Sequence, residues 1–136
     1  MYEFFEHTAD LGFRIRAKTL PELFAEAGRA LLATLVENHE AVRPNDRRTF
    51  EVRAARYDEL LYDWLAELLY AYDAEHWLAA QFEVSLAVGR LSAVARGEAI
   101  DPDRHRLDSQ VKAITYHGLR VEQTDDGWLA EVIVDV

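Results

Sequence analysis

Asp58-Glu59-Leu60-Leu61-Tyr62-Asp63-Trp64-Leu65-Ala66-Glu67-Leu68-Leu69-Tyr70-Ala71-Tyr72 is the stretch on which the fold turns. Leu60, Leu61, Trp64, Leu65, Leu68, Leu69 and Tyr72 recur at three and four residues, the spacing of one helical face. Asp58 has the chemistry of an N-cap. A helix with so much apolar side chain on one stripe must bury it, and strands are what the rest of the chain offers as a partner. Just upstream, 48–53 (Arg-Thr-Phe-Glu-Val-Arg) alternates with period two and reads as a strand, after loop chemistry at Arg43-Pro44-Asn45-Asp46. Further upstream lies a second helix. Thr19 caps it, Glu22 completes a capping box, and Pro21 fits its first turn. Leu23, Phe24, Ala27, Leu31 and Leu35 form its apolar stripe, which fades near Glu37-Asn38-His39.

The remaining segments read as strands. Residues 2–7 are short and aromatic, and 13–17 alternate apolar with basic. Between them His7-Thr8-Ala9-Asp10-Leu11-Gly12 reads as a polar turn closed by glycine. Residues 82–88 and 90–96 form a hairpin about Gly89. Residues 110–116 and 119–123 are two strands broken at His117-Gly118. Asp126-Gly127 is a hairpin turn before 128–134. Two helices and about seven strands predict an α+β fold, the helices packed on a mostly antiparallel sheet, in one domain spanning 1–136.

Composition narrows the function classes. The chain has no cysteine, which excludes disulfides, thiolate metal sites, iron–sulfur clusters and a cysteine nucleophile. The first six residues lack a basic stretch followed by an apolar one, so no signal peptide is expected. No apolar run reaches the roughly 18 residues of a membrane span. A cytoplasmic protein without membrane contact is the expectation. Asp and Glu number 25 against 15 Lys and Arg, a net charge of −10. Such a surface repels nucleic acid and suits hard cations or a basic protein partner. There is no Walker loop, no Gly-x-Gly-x-x-Gly, no serine elbow and no His-Glu-x-x-His. That argues against an autonomous nucleotide-hydrolysing enzyme.

Two places could carry chemistry. One is the segment around Asp10; the other is Val132-Ile133-Val134-Asp135-Val136. If the last strand pairs beside the first turn, Asp10, Asp135 and the Val136 carboxylate converge. Three carboxylates repel unless a cation or proton intervenes, and Ca²⁺, Mg²⁺ and Mn²⁺ take such oxygen ligands. Asp10 before Gly12 is also ordinary turn chemistry, and a terminal Asp is ordinarily solvated. Lys112 interrupts the apolar run Val111-Lys112-Ala113-Ile114, and alternation puts it on the face opposite Val111 and Ala113. His117 sits at a strand break, where a side chain can be re-aimed or simply hydrogen-bond the turn. Asp63 and Glu67 share a helical face as a carboxylate pair or a solvated one. His105 and Arg106 follow the Asp-Pro-Asp loop and read as exposed.

In order along the chain, Tyr-Glu-Phe-Phe-Glu-His-Thr-Ala-Asp-Leu-Gly (2–12), Leu-Leu-Tyr-Asp-Trp-Leu (60–65) with Glu-Leu-Leu (67–69), Val-Lys-Ala-Ile-Thr-Tyr-His-Gly-Leu (111–119), Gly-Trp (127–128) and the ending Val-Asp-Val (134–136) resemble the archease family. Leu11 stands where the family commonly has Ile. The resemblance implies a non-enzymatic accessory protein that promotes an RtcB-type tRNA-splicing RNA ligase. It implies help with GTP-dependent guanylylation of the ligase and with multiple turnover, tRNA being met only through the ligase. It also implies that Asp10, Asp135 and Val136 hold a divalent metal, calcium, manganese or magnesium. Lys112 would act near the ligase site, with His117 and His7 as further candidates for contact with the partner or its GTP site. A second function implied by resemblance is chaperone or specificity modulator of a tRNA cytosine methyltransferase. From a different class, Asp10 and Asp135 would build a metal-dependent phosphohydrolase.

Overall fold

In the computed structural model, residues 1–7, 10–108 and 111–136 are described, except for the side chain of His7. The apolar stripe of the central helix does what its spacing requires. That helix, α2, runs Tyr57–Glu75 and buries Leu60, Leu61, Trp64, Leu65, Leu68 and Leu69. The other, α1, runs Leu20–Leu35 from Thr19, whose hydroxyl accepts from the Glu22 N–H at 3.3 Å as an N-cap should. Asp58 is not the cap of α2. Arg56 occupies that position, and Asp58, inside the first turn, accepts from the Glu59 N–H.

Among the described residues eight strands form: β1 (Tyr2–His7), β2 (Asp10–Ala17), β3 (Asp46–Arg53), β4 (Trp77–Ala87), β5 (Arg90–Ala99), β6 (Ala113–Ile114), β7 (Arg120–Thr124) and β8 (Gly127–Asp135). They make two antiparallel sheets rather than one. The first runs β1-β2-β8-β6, with β7 also on β8; the second runs β3-β5-β4. Several boundaries differ from expectation: β3 begins at Asp46 rather than 48 and β5 runs on to Ala99 rather than 96, and three differences are larger. Asp10-Leu11-Gly12 is not turn but the start of β2, paired to β1 from His7↔Asp10 onward; Thr8 and Ala9 lie outside the described residues. β4 begins at Trp77, not 82, because His76 adopts the left-handed conformation (φ 54°, ψ 45°) and turns the chain straight from α2 into the sheet. The strand expected over 110–116 shrinks to Ala113–Ile114, with Ser109 and Gln110 outside the described residues.

Trp64 joins the layers. It is fully buried, its indole N–H donates to the Phe24 carbonyl of α1 at 2.9 Å, and its ring meets Phe50 of β3 and Phe82 of β4 edge-on at 5.6 and 5.9 Å. One side chain thus fixes α2 against α1 and the second sheet, with its single polar atom satisfied.

A buried charge cluster pins the connection from β5 toward β6. Glu98 accepts from the Arg104 guanidinium at 2.5 Å, from the Arg43 main-chain N–H at 2.8 Å and from His105 Nε2 at 2.9 Å. His105 Nδ1 accepts from the Asp101 N–H, so Nε2 carries the proton given to Glu98. His105, expected exposed, is only 3% exposed; its two polar nitrogens are both satisfied inside. Arg106 is exposed as expected. Burial alone would raise the Glu98 carboxyl, but the bonds from Arg104, Arg43 and His105 outweigh it and hold it at about 2. Being depressed, this group stabilises the fold above its unfolded value near 4.5 and loses that contribution as pH falls toward 2. We predict that acid titration from pH 4.5 to 2 removes on the order of 3 kcal/mol through this group. In Glu98→Gln that portion of the stability profile, followed by denaturant unfolding at each pH, should be flat, from a lower starting stability.

Candidate functional site

The candidate site is built by the register of the first sheet. β2 and β8 pair through Phe13↔Val132, Gly12↔Ile133 and Leu11↔Val134. One step further along the same strands come Asp10 and Asp135. On the flanks, Asp10 pairs with His7 and Asp135 with Ala113. Four strand ends therefore line up as one row, His7, Asp10, Asp135, Ala113. Directly opposed residues in antiparallel strands share a face, with Cα atoms roughly 4.5–5.5 Å apart. Leu11 and Val134 pack on the core side, so Asp10 and Asp135 belong to the outer face. Lys112 joins the same end: its main-chain N–H donates to the Asp135 carbonyl at 2.7 Å, and its side chain is exposed. Val111 is buried and Ala113 exposed, so the expected opposition of Lys112 holds for Val111 and fails for Ala113. Strand alternation lapses there because β6 begins only at Ala113.

Behind this row the outer face is apolar. The Phe5 ring lies over Gly12, so closely that a Cβ at position 12 would sit 2.3 Å from it. Any larger residue there would have to push the Phe5 ring aside. Ile133, opposite Gly12, is buried despite its outward position. A bulge covers it: a Cβ on Gly118 would be 3.4 Å from Ile133 Cδ1, and Gly118 has φ +64°. One row further back is a charge ladder. Arg14 bonds Glu131 at 2.8 Å and Glu3 at 3.4 Å, Arg120 bonds Glu131 at 2.7 Å, and the Arg14 guanidinium lies 4.9 Å from the Phe5 centroid. Burial would raise the Glu131 carboxyl; Arg120 and Arg14 hold it below the ordinary carboxylate range. The outer face thus grades from ion pairs to apolar floor to the Asp10 and Asp135 row.

His117 rides on the bulge between β6 and β7, the break expected at His117-Gly118. Thr115 holds that bulge down. Its hydroxyl donates to the Ile133 carbonyl at 2.8 Å and accepts from the His117 N–H at 3.2 Å. The ladder pairs Thr115 with Ile133, two residues back from Asp135, so His117 stands beside the apolar floor rather than in the carboxylate row. Of the expected site residues, Asp10, Asp135, Val136, Lys112 and the His7 backbone meet at one sheet end. Among the described residues no three His, Cys, Asp or Glu side chains are gathered as a metal cluster. Asp63 is half-buried and Glu67 exposed on α2, which is part of neither sheet. Thr115, Phe5 and Gly12 are the contributors sequence reading passes over. The only signal for Thr115 is its hydroxyl within an otherwise apolar and aromatic run.

We predict that Thr115→Val costs about 1–2 kcal/mol in denaturant unfolding and speeds amide exchange at His117, because the His117 N–H loses its acceptor and the Ile133 carbonyl keeps only the Thr115 main-chain N–H. Thr115→Ser should behave as wild type.

A sequence model of the Archease protein family matches residues 2–136. Protein archease of Methanopyrus kandleri is 40% identical over 139 residues, covering 99% of this chain and 99% of that protein. Protein archease of Pyrococcus abyssi is 37% identical, covering 99% and 98%. The solution structure of Methanobacterium thermoautotrophicum protein 1598 superposes with a TM-score of 0.86 at 32% identity, over 99% of this chain and 98% of that one. A crystal structure of an archease, possible chaperone, from Thermotoga maritima superposes with a TM-score of 0.70 at 20% identity, over 100% and 98%, a likeness of fold. No helix among the described residues is long and apolar enough to cross a membrane.

Proposed function

This chain belongs to the archease family, and we propose that it is an accessory protein that activates an RtcB-type tRNA-splicing RNA ligase, promoting GTP-dependent guanylylation and multiple turnover. The observation that carries the reading is the outer-face row in which Asp10 and Asp135 follow the last β2–β8 pair, with the Lys112 N–H on the Asp135 carbonyl. The residues fit a hard divalent cation, Ca²⁺, Mn²⁺ or Mg²⁺. Their donors are all oxygens, from Asp10, Asp135 and the carboxylate of Val136, and no soft ligand is present. Bound there, such a cation neutralises charge developing on a transferring phosphoryl group. The chain's own residues then have separable tasks. Asp10 and Asp135 hold the cation on rigid strand ends. Phe5 and Ile133 exclude water from behind them. Lys112 offers an exposed ammonium to a phosphate or to the ligase, and His7 and His117 are further candidates for contact with the partner or its GTP site. The net charge of −10 keeps RNA contact indirect.

A second reading is a chaperone or specificity modulator of a tRNA cytosine methyltransferase. It agrees with the description of the Thermotoga maritima archease as a possible chaperone, and it requires neither Asp10 nor Lys112. A phosphohydrolase built on Asp10 and Asp135 would instead turn over phosphate esters with metal alone.

The test is multiple-turnover ligation by the cognate ligase with GTP and Mn²⁺, with and without this chain. Wild type should stimulate; Asp10→Ala and Lys112→Ala, folded by circular dichroism, should lose most of the stimulation. Absence of stimulation by folded wild type would overturn the reading, and equal stimulation by both variants would remove the site from it.

A further inference from the structure

The bulge between β6 and β7 presents an aromatic ring to solvent and holds it still. Tyr116 is 61% exposed. Its ring nevertheless stacks face to face on Tyr62 of α2, centroids 3.9 Å apart and planes 8° apart. Thr115, the residue before it, is clamped to β8, and the turn is closed by the Leu119 N–H on the Tyr116 carbonyl at 3.2 Å. An exposed tyrosine ordered in this way gives up little conformational freedom on binding, the property that makes tyrosine frequent among residues that dominate interfaces.

Beside the stack runs an acidic row. Glu59, Asp63 and Glu67 follow one another at i, i+4 along α2, where like charges destabilise a helix. None of the three has an ion-pair partner among the described residues, whereas Glu131, Glu51 and Glu98 are each met by cationic side chains. Asp63 and Glu59 of this row are close enough to be felt by the stack. Loss of solvent, then Asp63, Tyr62, Glu59 and Asp58, pushes the Tyr116 phenol above its ordinary value. Tyr116 lies between β6 and β7, four residues beyond Lys112.

We propose that the exposed face of the Tyr116–Tyr62 stack, with the Glu59, Asp63 and Glu67 row, is the surface on which a positively charged, arginine-bearing face of a partner protein docks. An arginine there satisfies both halves, its plane on the Tyr116 ring and its charge toward the carboxylates. RNA is disfavoured because its phosphates meet carboxylates. A second copy is disfavoured because a two-fold contact through this surface sets the acidic row against itself. The proposal rests on the ligase reading above for the identity of the partner, and it adds where that partner is held.

The experiment is calorimetric titration of this chain into the cognate ligase at low and high salt, with ligation measured in parallel. Tyr116→Ala should weaken binding about tenfold or more, and Tyr116→Phe should bind as wild type. The triple variant Glu59→Gln, Asp63→Asn, Glu67→Gln should bind more weakly at low salt and show a flatter salt dependence. If wild type binds and stimulates, but Tyr116→Ala and the triple variant stay within about twofold of it, the docking surface is wrong and the ligase reading stands. If wild type neither binds nor stimulates, both fall together. Self-association of wild type that Tyr116→Ala abolishes would give the surface to a second copy and overturn the proposal.

Discussion

The register between β2 and β8 is the constraint on which the rest depends. Phe13↔Val132 and Ile15↔Ala130 put four fully buried residues on the core face. A slip of one residue would turn Phe13 and Ile15 outward and Arg14 into the core. Each large apolar side chain contributes roughly 1.5–3 kcal/mol by its burial, whereas an exposed ion pair contributes roughly 0–1 kcal/mol. Hydrophobic burial therefore decides the register, and the outer face inherits it. Gly12 falls opposite Ile133, Arg14 opposite Glu131, and at the ladder's end Asp10 comes beside Asp135. The two carboxylates are held together by residues on the other side of the sheet.

That arrangement needs the sheet to be backed, and α2 leans on it through Tyr57, whose ring meets Trp128 of β8, and through Tyr62, while Trp64 holds α2 to α1 and the second sheet. Because the indole reaches α1, β3 and β4 at once, displacing α2 would disturb α1 and the second sheet together. The bulge at Tyr116 leans on α2 through Tyr62, so the edge of the first sheet and the helix are mechanically one unit. The Glu98 cluster does similar work on the approach to β6, tying Arg104 and His105 to β5. The elements nearest the carboxylate row are thus restrained from several directions, as a site that binds through preset geometry requires.

The helices were legible because their apolar residues repeat at 3.6 and because Thr19 and Glu22 sit where a cap demands. The two-sheet division was not legible. Sequential hairpins reveal β4–β5, but nothing local says that the last strand inserts between β2 and β6. The start of β4 was hidden because His76, a non-glycine residue in the left-handed region, makes the turn without the usual punctuation. The run 111–116 reads as one strand by composition, yet Thr115 spends its hydroxyl on a bulge instead. At the site, Asp10, Lys112 and Asp135 stand out as charges in apolar strands, which sequence alone can flag. Their meeting depends on pairing between the two ends of the chain. The contact of Phe5 with Gly12 is equally long in its consequences and equally silent in the sequence. His105 was misread because a histidine after an Asp-Pro-Asp loop carries no sign of the buried Glu98 it serves.

Burial on one face of the first sheet fixes the Asp10 and Asp135 row on the other, the row proposed to hold a cation. Mn²⁺ titration of the ¹⁵N-labelled protein, read as paramagnetic broadening of amide signals, tests it most directly. Early, saturable broadening is expected, confined to the amides around Asp10, Lys112, Asp135 and Val136, and abolished in Asp10→Ala while the remaining spectrum is unchanged. Broadening centred instead on Asp125 and Asp126, or spread without saturation over the acidic surface, would contradict it.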